Sequence, residues 1–394
     1  MKIYEHTSDK LELFNKVMDI VLPDINKERI LIFDIDTTAF EPANGCVFLI
    51  GTEYYDGNEL HIKQYFSEDI GEEATVINAF LAFAADYDVL LNYKANSFDI
   101  PFLAGRLQKP ENRKNEISYH NLNHVRHISY DLFDEVRPLK TGLGLASTKI
   151  DTLRKLTGQS VTERITGENI SKFYVQYISE IKLRALHDSI CSSHKDDLIK
   201  DYSPRPVFDD LAHIKLNEDD SFLTDVLSRN RDNMESVLYI SRLAHLFNMS
   251  KGKYDCSILK SDDNVTISIG SQFEFTLNII EKDLKMFFIN YRDYFYFPAE
   301  DMAMHKSVAE FADKDSRKKA TAQTAYTKVS GSFVKIPASY IKAKNQKEGC
   351  LYKENFESEN YYLPVNDILN MNENDRKILS YQIALTTPIS NFLI

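Results

Sequence analysis

A short apolar run that ends in two aspartates, Arg29 to Thr38 (R-I-L-I-F-D-I-D-T-T), constrains the fold more than any other stretch. Ile30 to Phe33 are four apolar residues bounded by charge, a pattern typical of a buried strand. Because alternate side chains of a strand point to the same face, Asp34 and Asp36 should stand together at its end. Two like charges beside an apolar sheet are unfavourable, and a divalent cation is the simplest compensation. A solvated strand end with two acids is the alternative.

Composition limits the classes of protein that fit. A chain of 394 residues, 43% of them hydrophobic, can bury a full core and is long enough for two domains. Its formal charge of -12 argues against a protein held on nucleic acid by a global positive field, although local basic patches remain compatible. The four cysteines lie far apart, which indicates neither a zinc site nor a disulfide scaffold. Without a long apolar run or the apolar segment of a signal peptide, we expect a cytoplasmic protein with no membrane partner.

The first part of the chain predicts an α/β fold. Apolar spacing indicates helices over residues 10–22 and 72–86, and Asp56-Gly57 between two apolar runs is a strong hairpin signal. The run D-V-L-L-N-Y then indicates another strand, before K-A-N-S-F-D-I-P-F-L. A three-stranded meander followed by alternating helix and strand predicts a mixed sheet flanked by helices.

The middle of the chain is less regular. Residues 105–150 indicate only a short strand, H-I-S-Y-D-L, and a later helix should end at Gly158. Residues 168–220 should be helical with loops, and one long helix should cover about 220–247.

A change of periodicity near residue 251 predicts a second domain. We assign residues 1–250 to the first domain, with its core at 28–247, and residues 251–394 to a smaller α+β domain. Several short alternating runs there indicate a β-meander, followed by helices near 303–320 and 372–383. A basic cluster with nearby aromatic residues is a weak candidate for binding nucleic acid through Lys306, Arg317, Lys318 and Lys319. A solvated helix face beside an aromatic core is the alternative.

A third acid, Asp99, should join Asp34 and Asp36. It follows the D-V-L-L-N-Y strand, which as a neighbour of the first strand would end at the same edge of the sheet. Three carboxylates from separate segments suit Mg²⁺ or Mn²⁺, which prefer oxygen ligands. A pair of such ions could support phosphodiester cleavage.

These motifs resemble a known family. F-D-I-D-T-T resembles the first motif, Asp-x-Glu-Thr-Thr, of the DEDD 3′–5′ exonucleases of the ribonuclease H-like superfamily. V-F-L-I-G-T-E-Y-Y-D-G-N-E-L-H-I-K-Q-Y-F and N-Y-K-A-N-S-F-D-I-P-F-L are similar to the YprB-like predicted exonucleases, whose second motif matches Ser97, Phe98 and Asp99. The resemblance covers residues 28–247. It implies a ribonuclease H-like fold and 3′–5′ exonuclease activity on single-stranded DNA or RNA with Mg²⁺ or Mn²⁺.

The sequence departs from the family pattern at several positions. Asp36 replaces a Glu, and Lys94 replaces an Asn, where its positive charge could substitute for a cation or hold a phosphate. The third motif, His-Asn-Arg-x-Asp, aligns best with Arg229-Asn230-Arg231-Asp232-Asn233. In that alignment, Asn233 takes the position of the family's fourth carboxylate, and Arg229 takes the position of the family's His.

Two alternatives remain open from these departures. A shifted register would nominate Asp232 as the fourth acid, but at about 100° per residue Asn233 lies nearer the inward stripe of the helix. An amide ligand carries no charge, so a second metal should bind weakly. The sequence therefore leaves three hypotheses: an active exonuclease, a catalytically impaired module that binds nucleic acid or a protein partner, or a folding or assembly role for the C-terminal domain alone.

Overall fold

The computed structural model describes residues 1–109, 116–160, 169–193, 221–270, 272–344 and 349–394. They divide into two units. One comprises Met1–Val136, Thr148–Leu243 and Ile394, and the other comprises Arg137–Ser147 and Ala244–Leu393. The predicted domain boundary at residue 250 stays a prediction. No helix among the described residues is both long and apolar enough to cross a membrane.

A six-stranded mixed sheet forms the centre of the first unit. Its strands are β1 (Lys2–Thr7), β2 (Ile30–Thr37), β3 (Val47–Tyr55), β4 (Leu60–Phe66), β5 (Val89–Asn92) and β6 (Ser129–Asp131). They lie in the order β1-β4-β3-β2-β5-β6. The pairs from β1 to β2 are antiparallel, whereas β2–β5 and β5–β6 are parallel.

Helices cover both faces of this sheet. They are α1 (Leu11–Val21), α2 (Glu73–Ala84), α3 (Asp99–Leu107), α4 (Glu116–His127), α5 (Leu132–Val136), α7 (Ile150–Thr157), α8 (Ile170–Ser193) and α9 (Ser221–Ser241), while α6 (Leu139–Gly142) belongs to the second unit. The core on one face joins β2 and β5 to α2, α3 and α4. On the other face, Phe48 of β3 stacks on Tyr174 of α8 at 4.1 Å between ring centroids. The predicted mixed sheet flanked by helices is confirmed.

Local signals located most of these elements. The helices predicted over 10–22 and 72–86 are α1 and α2, and Gly57 turns the hairpin between β3 and β4 with φ +99°. Gly158 ends α7 in the left-handed conformation that favours glycine (φ 78°). Sequence patterns missed β1 and α4, because β1 is an edge strand exposed on both faces and α4 has few apolar residues. The region predicted over 168–220 contains α8, and its residues 168 and 194–220 lie outside the described residues.

The helix predicted over 220–247 is interrupted. It ends at Ser241, and α10 (Ala244–Ser250) follows. The Ser241 hydroxyl donates to the Val237 carbonyl at 2.8 Å, a contact that bends helices, and the Arg242 amide bonds three residues back instead of four. No Gly or Pro marks this break, which is why apolar periodicity did not reveal it.

The second unit is rich in strands, as predicted. They are β7 (Cys256–Lys260), β8 (Asn264–Ile269), β9 (Phe273–Phe288), β10 (Tyr294–Phe297), β11 (Met302–His305), β12 (Lys318–Lys319), β13 (Tyr326–Ile336), β14 (Cys350–Lys353) and β15 (Tyr361–Pro364). Its further helices are α11 (Lys306–Ala309), α12 (Ala338–Ala343), α13 (Val365–Leu369) and α14 (Glu373–Thr386). Strand β9 pairs with β13 and β14, and both of these pair with β15, so four strands close into a ring. Leu284, Phe333 and Tyr362 fill its interior.

Two predictions for this unit need correction. The helix predicted over 303–320 is wrong: Met302–His305 pairs with β10, and only Lys306–Ala309 forms an α-helical turn before a second strand pairs with β10. Two of the short alternating runs, F-E-F-T-L-N-I-I and L-K-M-F-F-I-N-Y, are predicted as separate strands but form the single strand β9, which pairs first with β8 and then with β13 without a turn between them.

Candidate functional site

Alternation along β2 points Asp34 and Asp36 toward α9. Phe33 packs on the opposite face, where its ring stacks on Phe80 of α2 at 5.2 Å between centroids. Asp34 lies opposite Gly51 of β3, and α9 packs directly over Gly51. Asp36 is only 4% exposed. The two carboxylates therefore share one buried face at the end of the strand.

Asp99 reaches the same edge of the sheet from another segment. It is the first residue of α3, and its Oδ1 accepts a hydrogen bond from the Ile35 amide at 3.2 Å. The loop between β5 and α3 is fixed by Asp131, which accepts from the amides of Lys94 and Asn96 at 2.7 and 3.1 Å. The structure thus brings Asp99 to the two strand-end acids. Their metal-binding role stays a prediction.

Burial raises the pKa of all three carboxyls, and repulsion by a neighbouring acid raises the pKa of Asp34 and Asp99 further. Burial, followed by the charge of Asp36, raises the pKa of Asp34 to about 7. Burial and then the charge of Asp34 raise the pKa of Asp99 well above its usual range. Burial also raises the pKa of Asp36, against the opposing effect of Arg229. Such a cluster stays ionised only with positive charge or hydrogen-bond donors beside it.

Arg229 of α9 supplies a positive charge to the cluster. Its Nη1 donates to Asp36 Oδ1 at 2.5 Å, and the two side chains are 16% and 5% exposed. Charge-assisted bonds of this kind are short and strong. The guanidinium therefore stands against a carboxylate that the family resemblance assigns to a metal ion.

Two asparagines of α9 donate to Asp34. The Nδ2 atoms of Asn233 and Asn230 lie 3.0 and 3.2 Å from Asp34 Oδ2. Asn233 Oδ1 accepts from Arg154 Nη2 at 2.7 Å. The opposite amide orientation would set donor against donor, so Arg154 fixes the side chain as it stands. The oxygen with which Asn233 is predicted to ligate a metal faces Arg154 instead.

Further hydrogen bonds hold the donors in position. Gln64 of β4 donates Nε2 to Asn230 Oδ1 at 2.8 Å, and Asn230 is fully buried. Arg154 of α7 also donates Nε to Ser236 Oγ at 2.8 Å. Because these partners come from three elements, the arrangement around Asp34 belongs to the packed core rather than to a loose surface.

Two divalent cations fit this arrangement poorly. Asp36 is already paired with Arg229, and Asp34 accepts two amide donors. Within the described ranges, no three Asp, Glu, His or Cys side chains form a group that could hold a metal ion. One atom favours a cation: Asp36 Oδ2 is buried and has no hydrogen-bond partner in the described part of the chain.

The predicted phosphate contact, Lys94, lies in an unusual backbone conformation. Its φ is +67°, in the left-handed region where Asn and Gly are favoured. That preference gives a physical reason for the Asn of the family pattern. The ammonium lies over the rings of Phe133 and Tyr93, 5.1 and 5.8 Å from their centroids. A phosphate role for Lys94 stays a prediction.

The remaining predicted residues lie elsewhere. Asp232 is half-buried on α9, and the neighbouring Asn233 is the residue whose side chain contacts Asp34. The basic candidates of the second unit lie on or beside strands β10 to β12; they are Lys306, Arg317, Lys318 and Lys319.

Sequence reasoning missed the contributions of Asn230, Arg154 and Asp131. Asn230 and Arg229 stood in the aligned motif, but only the fold shows which acids they contact. Arg154 offered a weak signal, since it falls among the apolar residues of the short helix α7. Asp131 lies near the end of the predicted strand H-I-S-Y-D-L, but no sequence motif marked it as a functional residue.

A match to a known family agrees with this fold. Residues 31–200 match the family model of the RNase_H superfamily (RNase_H_2), so the chain carries an RNase H-like domain, which is consistent with a nuclease. No curated protein matches the chain. A similar solved structure is a family B DNA polymerase from the hyperthermophilic archaeon Pyrobaculum calidifontis, with 14% identity and a TM-score of 0.35. The match covers 67% of this chain and 35% of the polymerase, so the chain spans about a third of that protein's length.

Proposed function

Because the chain carries an RNase H-like domain, we propose that it binds nucleic acid as a nuclease does, but that its metal-dependent hydrolysis is impaired. The superfamily supports nucleic acid as the partner. The pairing of Arg229 with Asp36 carries the second half of the proposal, because it neutralises a carboxylate that a cation would need.

The charge balance supports the same conclusion. The charge of Arg229 acts on both Asp34 and Asp36, and the charge of Arg154 also lowers the pKa of Asp34 against the effect of burial. A site for two divalent cations normally gathers more negative charge than this one. The amides of Asn230 and Asn233 add donors where a cation would require acceptors.

A 3′–5′ exonuclease of the DEDD type, close to the YprB-like branch, is the second candidate. The unbonded and buried Asp36 Oδ2 favours it, because such an atom suits a cation. In that case Asp34, Asp36 and Asp99 would hold Mg²⁺ or Mn²⁺, with Asn233 or Asp232 completing the set. Single-stranded DNA or RNA would be the substrate, in the cytoplasm.

One experiment separates the two candidates. Purified protein is mixed with end-labelled single-stranded DNA or RNA in Mg²⁺ or Mn²⁺, and binding is measured in parallel with and without a chelator. We expect binding that survives the chelator and no shortening of the labelled strand. Stepwise 3′ shortening by the wild-type protein that Asp34→Asn abolishes would overturn the impaired-site proposal, and absence of any binding would overturn the choice of partner.

A paired variant tests the role of Arg229 directly. Arg229→His/Asn233→Asp should gain Mn²⁺ affinity by at least about tenfold, since it removes the internal cation and adds a carboxylate. Arg231→His on the same helix is the matched control and should gain none. Equal Mn²⁺ affinity in wild type and the double variant, with both folded, would contradict the proposal.

A further inference from the structure

Three lysines of the second unit lie directly opposite one another on three neighbouring strands. Lys285 of β9 pairs in register with Lys328 of β13 on one side and with Lys353 of β14 on the other. Directly opposite residues share a face, so the three side chains form one row, here called the lysine row. With neighbouring strands about 4.8 Å apart, the row spans roughly 10 Å.

Without a bound anion, this row of three lysines is electrostatically unfavourable. Like charges directly opposite each other destabilise a sheet. Lys328 is compensated by Asp301, whose Oδ2 lies 2.9 Å from Nζ. Lys285 and Lys353 form no ion pair with any described residue; their ammonium groups lie over the rings of Tyr326 and Tyr361 at 4.0 and 5.1 Å. An external anion would relieve the repulsion.

Aromatic rings flank the row at both ends. On the β14 side, Phe356 is 38% exposed and lies 5.7 Å from the ammonium of Lys353. On the β13 side, the half-buried ring of Tyr296 on β10 lies 6.0 Å from the buried ring of Tyr326. Alternating rings and ammonium groups can stack bases and hold phosphates together.

The surrounding charges favour one orientation of an anionic chain relative to the strands. Along β9 the row is followed by Asp283 and Glu281, whose carboxylates accept from Ser330 and Ser332 of β13. An anionic chain that followed β9 would meet these acids. One that crosses the strands along the row would meet the three lysines, with the Asp301 carboxylate beside Lys328 as the acid at one end. The stretch 316–344, which includes Lys328, contains seven basic residues and no acidic one.

The four basic residues singled out in the sequence are divided by the structure. Lys318 lies opposite Tyr296 in the pairing of β12 with β10 and extends the same face. Lys319 pairs with Phe295 and therefore points to the other face. Lys306 is paired with Asp293 at 2.7 Å, so its charge is already compensated. Arg317 donates to the Ala309 carbonyl, and Lys353 of the row donates likewise to the Phe356 carbonyl; both keep their charge.

We propose that the lysine row, with the rings at its ends, binds a segment of single-stranded nucleic acid crossing β13, β9 and β14. A row of this length exceeds a single phosphate group, and the flanking rings match unpaired bases. The choice of nucleic acid as the ligand rests on the proposed function of the RNase H-like domain. The arrangement of the three lysines is observed independently of that proposal.

The test measures binding of short fluorescent single-stranded DNA and RNA by the full chain across a salt series. Lys285→Gln and Lys353→Gln should each weaken binding and lower the slope of log affinity against log salt by about 0.7, because each removes one phosphate contact. Lys260→Gln, also a loss of one exposed charge in this unit, is the matched control and should leave both values unchanged. Lys285→Arg should retain wild-type binding.

A stacking variant tests the aromatic part. Phe356→Leu should weaken binding to single strands without changing the salt slope, because it removes a ring and no charge. If polyphosphate competes as well as DNA of equal charge and Phe356→Leu has no effect, the surface is a general anion patch and the assignment to nucleic acid fails.

The outcomes also separate this proposal from the one for the first unit. Binding that is insensitive to both glutamine variants overturns the lysine row and leaves the first unit as the binding site. Binding that these variants reduce, but that Asp34→Asn and Arg229→His leave unchanged, supports the lysine row and removes the acid cluster from binding.

Discussion

Single side chains decide whether the acid cluster can act on a metal. Strand alternation and the parallel neighbour β5 predict that Asp34, Asp36 and Asp99 converge, because both patterns are local. The partner of Asp36 is 193 residues away on α9, and no periodicity encodes which atom of Arg229 faces it. Likewise, the orientation of the Asn233 amide depends on Arg154, another distant residue. The sequence therefore predicts that the three acids lie close together, but not which side chains pair with them.

Glu53 provides a residue-scale prediction. It is fully buried on β3, neither carboxylate oxygen has a hydrogen-bond partner among the described residues, and burial raises its pKa from 4.5 to about 8. The folded protein therefore binds a proton that the unfolded chain releases above pH 4.5, so this group lowers the free energy of unfolding as pH rises from 4.5 to 8.

Glu53→Gln should remove that pH dependence. Relative to the variant, the wild-type protein should lose about 1.4 kcal/mol of unfolding free energy for each pH unit in this window. Urea unfolding at several pH values measures the difference, and the exposed Glu59→Gln serves as the control. Parallel pH profiles for wild type and Glu53→Gln would contradict the burial argument.

The close approach of α9 to β3 is the decisive contact between elements. Helix periodicity indicates which stripe of α9 faces inward, but not that Asn230 and Met234 rest on Gly51. The break after Ser241 and the continuity of β9 were also invisible, since both depend on hydrogen bonding and not on Gly or Pro.

Gly51→Ala tests this packing. An added methyl group would overlap Asn230 Oδ1 and approach Met234 Cε to 2.8 Å, so the free energy of unfolding should fall by about 1–3 kcal/mol. Gly331→Ala in β13 is the control, because its methyl would meet only Phe333 at 3.9 Å. Denaturant unfolding measures both, and equal stability of Gly51→Ala and wild type would show that α9 packs less tightly on β3.

The whole chain is divided less simply than its sequence suggests. A boundary at residue 250 follows the last apolar residues of the predicted long helix, whereas α10 packs on α14 and belongs to the second unit. Residues 137–147 also belong to that unit, although they lie in the sequence between the two long segments of the first, Met1–Val136 and Thr148–Leu243. Periodicity reports local structure and carries little information about such a return of the chain.

Fragments test this division. A fragment of residues 244–394 should be more stable than one of 251–394, because α10 contributes the buried side chains of Leu246, Phe247 and Met249. Each buried apolar side chain of this size stabilises by about 1.5–3 kcal/mol. Thermal unfolding followed by circular dichroism compares the two, and equal midpoints would place the boundary at residue 250.

The ring of β9, β13, β15 and β14 gives each of its strands a partner on both sides. Unpaired strand edges are where copies of a protein add to one another and begin to aggregate. At the far side of this sheet the terminal strand is β7, which is only five residues long and lies against α13 and α14. The larger sheet therefore presents little unpaired edge at which copies could add, and the edges of the three-stranded sheet, β11 and β12, are only four and two residues long.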